Sequence, residues 1–159
     1  MKQIALTALI CGVPSVSGCR PGTSSEAQRL EPLISPGQIE GDAIPQPLAD
    51  HVGSPAAGQL VFTDRESGHC TLCHRVADLD EEFQGNVGPD LSGIGDRLTT
   101  GQLRLRIADI SAIMPHSVMP SYYRVTGLNQ VKDGYQRAPI LSSTQIEDLV
   151  AYLASLKDQ

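Results

Sequence analysis

Residues 70–74 read Cys70-Thr71-Leu72-Cys73-His74. Two thiols three positions apart, with an imidazole immediately after the second, can do one specific piece of chemistry. The thiols add across the two vinyl groups of a haem, so the cofactor cannot dissociate, and His74 is then placed under the iron as its proximal ligand. The same residues could serve as half a zinc site or as a redox dithiol. Those readings require a second Cys/His pair or a thioredoxin-like βαβ pattern. The remaining cysteines, Cys11 and Cys19, lie in the N-terminal leader, and no βαβ pattern is present. The motif is therefore read as the attachment site of one covalent haem c, with Cys70 and Cys73 as the thioether donors.

A proximal histidine leaves the sixth iron position to be filled. The downstream candidates are Met114, His116 and Met119, all within Met114-Pro115-His116-Ser117-Val118-Met119-Pro120. A lone methionine is normally packing. Here two Met-Pro steps share one irregular segment of a chain with an iron to fill. Thioether ligation raises the potential and suits electron transfer, whereas His116 would give bis-histidine iron of lower potential. Met119 is favoured, because Pro120 holds it in extended chain that can lie across a haem face; Met114 is the alternative. Gly88-Pro89 marks a turn whose carbonyl could accept a hydrogen bond from the far nitrogen of His74 and fix the ring.

These residues need helices to hold them. Ser54-Pro55 reads as an N-cap followed by proline at the first helical position, opening a short helix through Ala56, Ala57, Leu60 and Val61 to Phe62. Residues 78–96 read as loop, punctuated by Gly85, Gly88, Pro89, Gly93 and Gly95. A second helix is expected from Thr100 to about Ile113, with Leu103, Ile107 and Ile110 on one face, ended by Met114-Pro115. The last helix is capped by Ser142, Ser143 or Thr144, and Thr144 with Glu147 forms a capping box. Ile146, Leu149, Val150, Leu153 and Leu156 make its apolar stripe. No strand pattern and no internal repeat are present, so the expected fold is an all-α haem domain over residues 54–159.

Haem attachment of this kind takes place outside the cytoplasm. Met1-Lys2 followed by an apolar stretch from Ile4 to Val16 and small residues fits a secretory signal peptide over residues 1–18, too short to span a membrane. Val16-Ser17-Gly18-Cys19 also resembles a bacterial lipobox, which would make Cys19 the lipidated first residue of the mature chain; ordinary cleavage nearby fits the same small residues. The expected location is the periplasm, free or lipid-anchored. Residues 19–53, rich in Pro, Gly, Ser and Gln, read as a linker or extended arm. The 159 residues carry a net charge of −6, no Trp, two Phe and four Tyr. Such a chain makes one domain with little aromatic core, which a buried haem would supplement. Its acidic balance argues against nucleic acid.

The order of helix, C-x-x-C-H, Gly-Pro loop, methionine loop and final helix resembles class I cytochrome c. In that family the first and last helices cross, which here sets Gly58 and Phe62 against Leu149, Tyr152 and Leu153. A narrower match is carried by Gly85-Asn86-Val87-Gly88-Pro89-Asp90-Leu91-Ser92-Gly93-Ile94-Gly95, by Leu103-Arg104-Leu105-Arg106-Ile107, and by Val118-Met119-Pro120-Ser121-Tyr122-Tyr123. Gly127-Leu128-Asn129-Gln130-Val131 and Pro139-Ile140-Leu141 extend it. These segments resemble the SoxX family, monohaem subunits of the SoxAX cytochrome complex of bacterial thiosulfate oxidation. The resemblance implies that Cys70 and Cys73 carry the haem and that His74 and Met119 are its axial ligands. It implies a heterodimer with a SoxA-like cytochrome, whose reactive cysteine joins thiosulfate to a cysteine of a SoxYZ-like carrier protein. Electrons would pass through this chain to a small soluble cytochrome c.

The residues agree with an electron-accepting role. Once export removes the leader with Cys11 and both motif cysteines are committed to haem, no free thiol remains beyond Cys19, so a catalytic nucleophile cannot come from this chain. A stand-alone periplasmic electron carrier is the alternative, and a gas-sensing haem with an open iron is a third reading. The first two differ in surface, because a permanent subunit hides an apolar patch and a shuttle makes small transient contacts. Tyr122, Tyr123 and Val125 are candidates for such a patch, or for packing on the haem edge.

Overall fold

The computed structural model describes residues 32–132, 134 and 136–158. The leader, Cys11 and the lipobox-like Cys19 lie outside the described residues. Four α-helices run in chain order: α1 (Pro55–Thr63), α2 (Ile94–Arg97), α3 (Thr100–Asp109) and α4 (Ser143–Ser155). Single 3₁₀ turns form at Pro36–Gln38, Cys70–Leu72 and Ile110–Ala112. The described residues contain no strand, only an isolated bridge between Glu40 and Ala43. The expected all-α fold is what forms.

α1 starts as its sequence requires. Ser54 Oγ accepts from the Ala57 amide, with proline at the first position. Its inner face is built for a close crossing with α4. A Cβ on Gly58 would come within 2.0 Å of the Asp148 carbonyl and 2.7 Å of Tyr152 Cβ, so only glycine lets the two backbones meet there. One turn on, the Phe62 and Tyr152 rings meet edge to face, with centroids 5.4 Å apart and planes at 60°. Gly58, Phe62 and Tyr152 thus meet as the sequence led us to expect.

α4 buries Ile146, Leu149, Val150 and Leu153, and Leu156 packs on the same cluster just past its end. Its cap differs from the expected Thr144–Glu147 box. Ser142 is the N-cap, accepting from the Gln145 amide, and Gln145 returns the bond to the Ser142 amide. Glu147 has a stronger claim elsewhere. It is buried with Arg104 in a two-bonded ion pair, Nε to Oε1 and Nη2 to Oε2 at 2.8 Å each. Asp148 is also buried, accepting from the Ser54 amide and bonded to His51. An ion pair of this kind costs solvation and holds only because every group in it is bonded.

The remaining partners of that pair come from residues 34–53, read from sequence as a linker or extended arm. They carry the 3₁₀ turn at Pro36–Gln38 and a tight turn closed by the Glu40–Ala43 bridge, and they lie against the helices of the same chain. Ile44 is fully buried against Leu105 and Ala108. Its amide donates to the Gly101 carbonyl and its carbonyl accepts from Arg104 Nη1. The Leu48 amide donates to Glu147 Oε1 at 2.9 Å. The arm explains why α3 is buried on two faces, Leu103 and Ile107 towards α4 and Leu105 and Ala108 towards Ile44, where periodicity gave only the first. Thr99 and Gln102 cap α3 reciprocally, and it tightens into the 3₁₀ turn at Asp109 rather than running on as α-helix to Ile113. α2 forms at the end of the stretch read as loop. Gly95 is pressed on the last turn of α4, its amide bonded to the Leu156 carbonyl at 2.9 Å, so tertiary contact makes this helix and local periodicity does not.

Candidate haem site

The C-x-x-C-H segment folds as a single tight turn. His69, in left-handed backbone at φ 45°, turns the chain into it, and the Cys73 and His74 amides both donate to the Cys70 carbonyl. Both cysteines are free thiols. Burial pushes the Cys70 thiol up to about 12. A thiol so buried is held neutral and is a poor free nucleophile. Just ahead of the turn, a Cβ on Gly68 would come within 2.4 Å of the Val61 carbonyl and 3.3 Å of Cys70 Sγ.

The loop from Gly85 to Ser92 is laid against this turn by backbone bonds. The Gly85 amide donates to the Thr71 carbonyl, Gly88 to Cys73 and Leu91 to Arg75, each at 2.8 Å. Gly88 is in face contact with the imidazole: a Cβ there would lie 2.3–2.8 Å from three atoms of the His74 ring. His74 Nδ1 is 2.8 Å from the Pro89 carbonyl, as the Gly88-Pro89 turn was expected to arrange. That bond assigns the proton to Nδ1 and leaves the Nε2 lone pair free for a metal. The turn is then pinned by charge. Arg75 meets Asp90 at 2.7 Å, and Arg97 reaches the Asp90 and Ser92 carbonyls. Hydrogen bonds from Ser92, then Arg75, hold the Asp90 carboxyl at about 2.

The three candidates for the sixth ligand lie on the segment that leaves α3 and returns along it. Met119 is half-buried, its amide donating to Ser117 Oγ at 3.1 Å. Met114 is 56% exposed and His116 is exposed. The returning chain is bonded to the end of α3, Tyr122 amide to the Ile107 carbonyl and Tyr123 amide to the Ala108 carbonyl. It also reaches the haem-binding turn, because Tyr122 Oη donates to the Gly68 carbonyl at 2.9 Å. Burial, and then the neighbouring Cys70 and Cys73, raise the Tyr122 hydroxyl well above the tyrosine range. Tyr122 and Tyr123 are half-buried against the main core cluster and Val125 is buried. Tyr152 is a further neighbour that sequence reasoning missed. Burial, then Cys70, raises its hydroxyl also.

These residues fit a covalently held haem. Two thiols and an imidazole share one turn, a glycine opens the imidazole face, and a carbonyl orients the ring. Leu72, Val87 and Val118, chain neighbours of Cys73, Gly88 and Met119, offer apolar surface of the kind a porphyrin covers.

Residues 55–157 match the family model described as cytochrome c. Among solved structures, the crystal structure of SoxXA from P. pantotrophus is similar at 37% identity and a TM-score of 0.69, over 74% of this chain and 91% of that one. The c-type cytochrome SorU from Sinorhizobium meliloti is similar at 22% identity and a TM-score of 0.42, over 65% and 90%. No curated protein matches. A cytochrome c domain carries covalently bound haem c and transfers electrons, and the match in sequence and structure to SoxXA narrows the type. The chain belongs to the cytochrome c family, as a SoxX-type cytochrome.

Proposed function

We propose that this chain is the electron-accepting subunit of a SoxAX-type L-cysteine S-thiosulfotransferase. One observation carries the reading: 37% identity sustained over 74% of the chain to a component of SoxXA. Cys70 and Cys73 hold one haem c, His74 is the proximal ligand, and Met119 is the distal one. When bound, the haem supplies a one-electron couple whose potential thioether ligation raises.

The chain's own part is to seat and insulate that group. The Pro89 carbonyl keeps the proton on His74 Nδ1, and Gly88 leaves the imidazole room. The bond from Tyr122 to Gly68 ties the methionine segment to the cysteine turn. Joining thiosulfate to a carrier thiol forms one S–S bond and releases two electrons and one proton. The thiol and its base belong to the partners, a SoxA-like cytochrome and a SoxYZ-like carrier, because both cysteines of the described chain are committed to attachment. This subunit contributes no catalytic residue and passes electrons to a small soluble cytochrome c. The setting is periplasmic, with Cys19 as a possible lipid anchor; among the described residues no helix is long and apolar enough to cross a membrane.

The test is purification of the tagged chain from periplasmic and membrane fractions of its host grown on thiosulfate. Elution with a second haem-staining cytochrome in one-to-one ratio, and haem reduction that requires both thiosulfate and the carrier protein, is the expected result. A single haem band that thiosulfate and carrier leave oxidised would overturn the proposal in favour of a free electron carrier.

A further inference from the structure

The segment carrying Met119 is an excursion of the chain. It leaves at Asp109, where α3 ends in backbone at φ −152° and ψ 77°, and rejoins the body at Ser121–Tyr123. Between these points it is held by short turns of its own, Met114 amide to Ile110 carbonyl, Ser117 amide to Met114 carbonyl and Met119 amide to Ser117 Oγ. Compact loops whose ends lie close together are held by their own side chains. Here one carboxylate oxygen sits where the ends meet. Asp109 Oδ1 accepts from Ser111 Oγ on the outgoing chain and, at 2.7 Å, from Ser121 Oγ on the returning chain. Arg124 Nη1 lies 3.8 Å from the same oxygen and donates to Ser111 Oγ, while Arg124 Nε donates to the Thr126 carbonyl. Both charged side chains are largely shielded from water, 20% and 34% exposed, which strengthens hydrogen bonds to the charge.

We propose that Asp109 is the positioning residue of the distal ligand: its carboxylate closes the neck of the loop and so sets how firmly Met119 stays on the iron. The proposal rests on the reading of Met119 as that ligand. Ser121, two residues beyond Met119, is the contact through which it acts.

The test uses the oxidised holoprotein and titrates it with imidazole, which binds ferric iron only when the methionine has left it. Ser121→Ala is expected to bind imidazole about tenfold more tightly than the parent, the loss of one hydrogen bond to a charge from the closed loop, and Asp109→Ala, which loses the bonds from both Ser111 and Ser121, at least as tightly. Asp109→Asn keeps an acceptor oxygen and should fall between. Asp42→Asn breaks a surface pair with Arg106 on the arm and should leave imidazole affinity at the parent value. Parent-like affinity in Ser121→Ala overturns the proposal, as does equal tightening in Asp42→Asn, which would make the effect one of general stability. Ser121→Ala decides alone if Asp109→Ala does not fold. Met119→Ala separates the two readings. If its spectrum is unchanged, the ligand assignment fails and the proposal with it. If its spectrum changes while Asp109→Ala and Ser121→Ala titrate as the parent, the role of Asp109 alone is refuted.

Discussion

The two sides of the haem site proposed above, that of His74 and that of Met119, are held by different means. On the proximal side, His74 is fixed by its neighbours in the chain and by a loop laid down through three backbone bonds, with Gly88 against the ring and the Pro89 carbonyl on Nδ1. On the distal side, Met119 rides on an excursion whose neck is closed by side chains, Asp109, Ser111, Ser121 and Arg124. A backbone bond contains no side chain that a substitution can delete, whereas a side-chain clasp can be loosened one hydroxyl at a time. In the proposed haem site the His74 side would hold the iron, and the Met119 side would be where potential and ligand exchange are tuned.

The strongest way to break the contrast is Gly88→Ala. The new methyl would stand 2.3 Å from the nearest atom of the imidazole, and the loop can retreat only by giving up bonds to Cys73 and Arg75. Overpacking of this sort costs about 1–3 kcal/mol. A lower melting temperature of the holoprotein, with a fall in haem incorporation, is the expected readout. A variant that melts and loads as the parent does would mean the proximal loop is not the rigid partner. Met119→Ala attacks the other side and should behave differently. Haem stays attached through Cys70 and Cys73, the low-spin His/Met spectrum is lost, and the potential falls, since thioether ligation favours reduced iron. An unchanged spectrum would move the ligand to Met114 or His116. Tyr122→Phe tests the seam between the sides. It removes the bond to the Gly68 carbonyl and should cost about 1 kcal/mol in unfolding free energy, the usual worth of a neutral hydrogen bond. No loss on denaturant unfolding would mean that the ring's packing alone joins the methionine segment to the cysteine turn.

The same contrast explains what the sequence revealed. The proximal side is local: a five-residue motif names its donors, and Gly88-Pro89 names the carbonyl that meets His74. The crossing of α1 and α4 was legible through the resemblance to class I cytochrome c, with Gly58 and Phe62 on one side and the regular stripe of α4 on the other. Asp109 and Ser121 were not, since their meeting depends on how the irregular loop between them, residues 110–120, comes back, and neither residue type is unusual there. The arm was missed for a related reason. Its composition is that of a linker, and the partners that order it, Arg104 and Glu147, lie about 60 and 100 residues away in sequence. Glu147 was assigned to a helix cap by local pattern, and burial beside Arg104 overrode that pattern. In each case a polar residue is engaged by a distant one, which periodicity does not report.

The smallest expected effect lies in the one place where the proximal side also relies on charge. Asp90 keeps its carboxyl at about 2 against an ordinary 3.8, through Ser92 and then Arg75. A depressed carboxyl contributes stability that is present above the unfolded-state value and is lost as pH falls towards the folded one. The pair is well exposed, 57% and 46%, and water screens most of its attraction, so the change should be modest. The measurement is holoprotein unfolding in denaturant from neutral pH down to 2, for the parent and Asp90→Asn. The parent should be slightly the more stable above about pH 4, and the gap should close between about 4 and 2 as Asp90 takes up its proton. A gap that persists at the acid end would assign the contribution to shape rather than charge, and would leave the proximal side held by backbone alone.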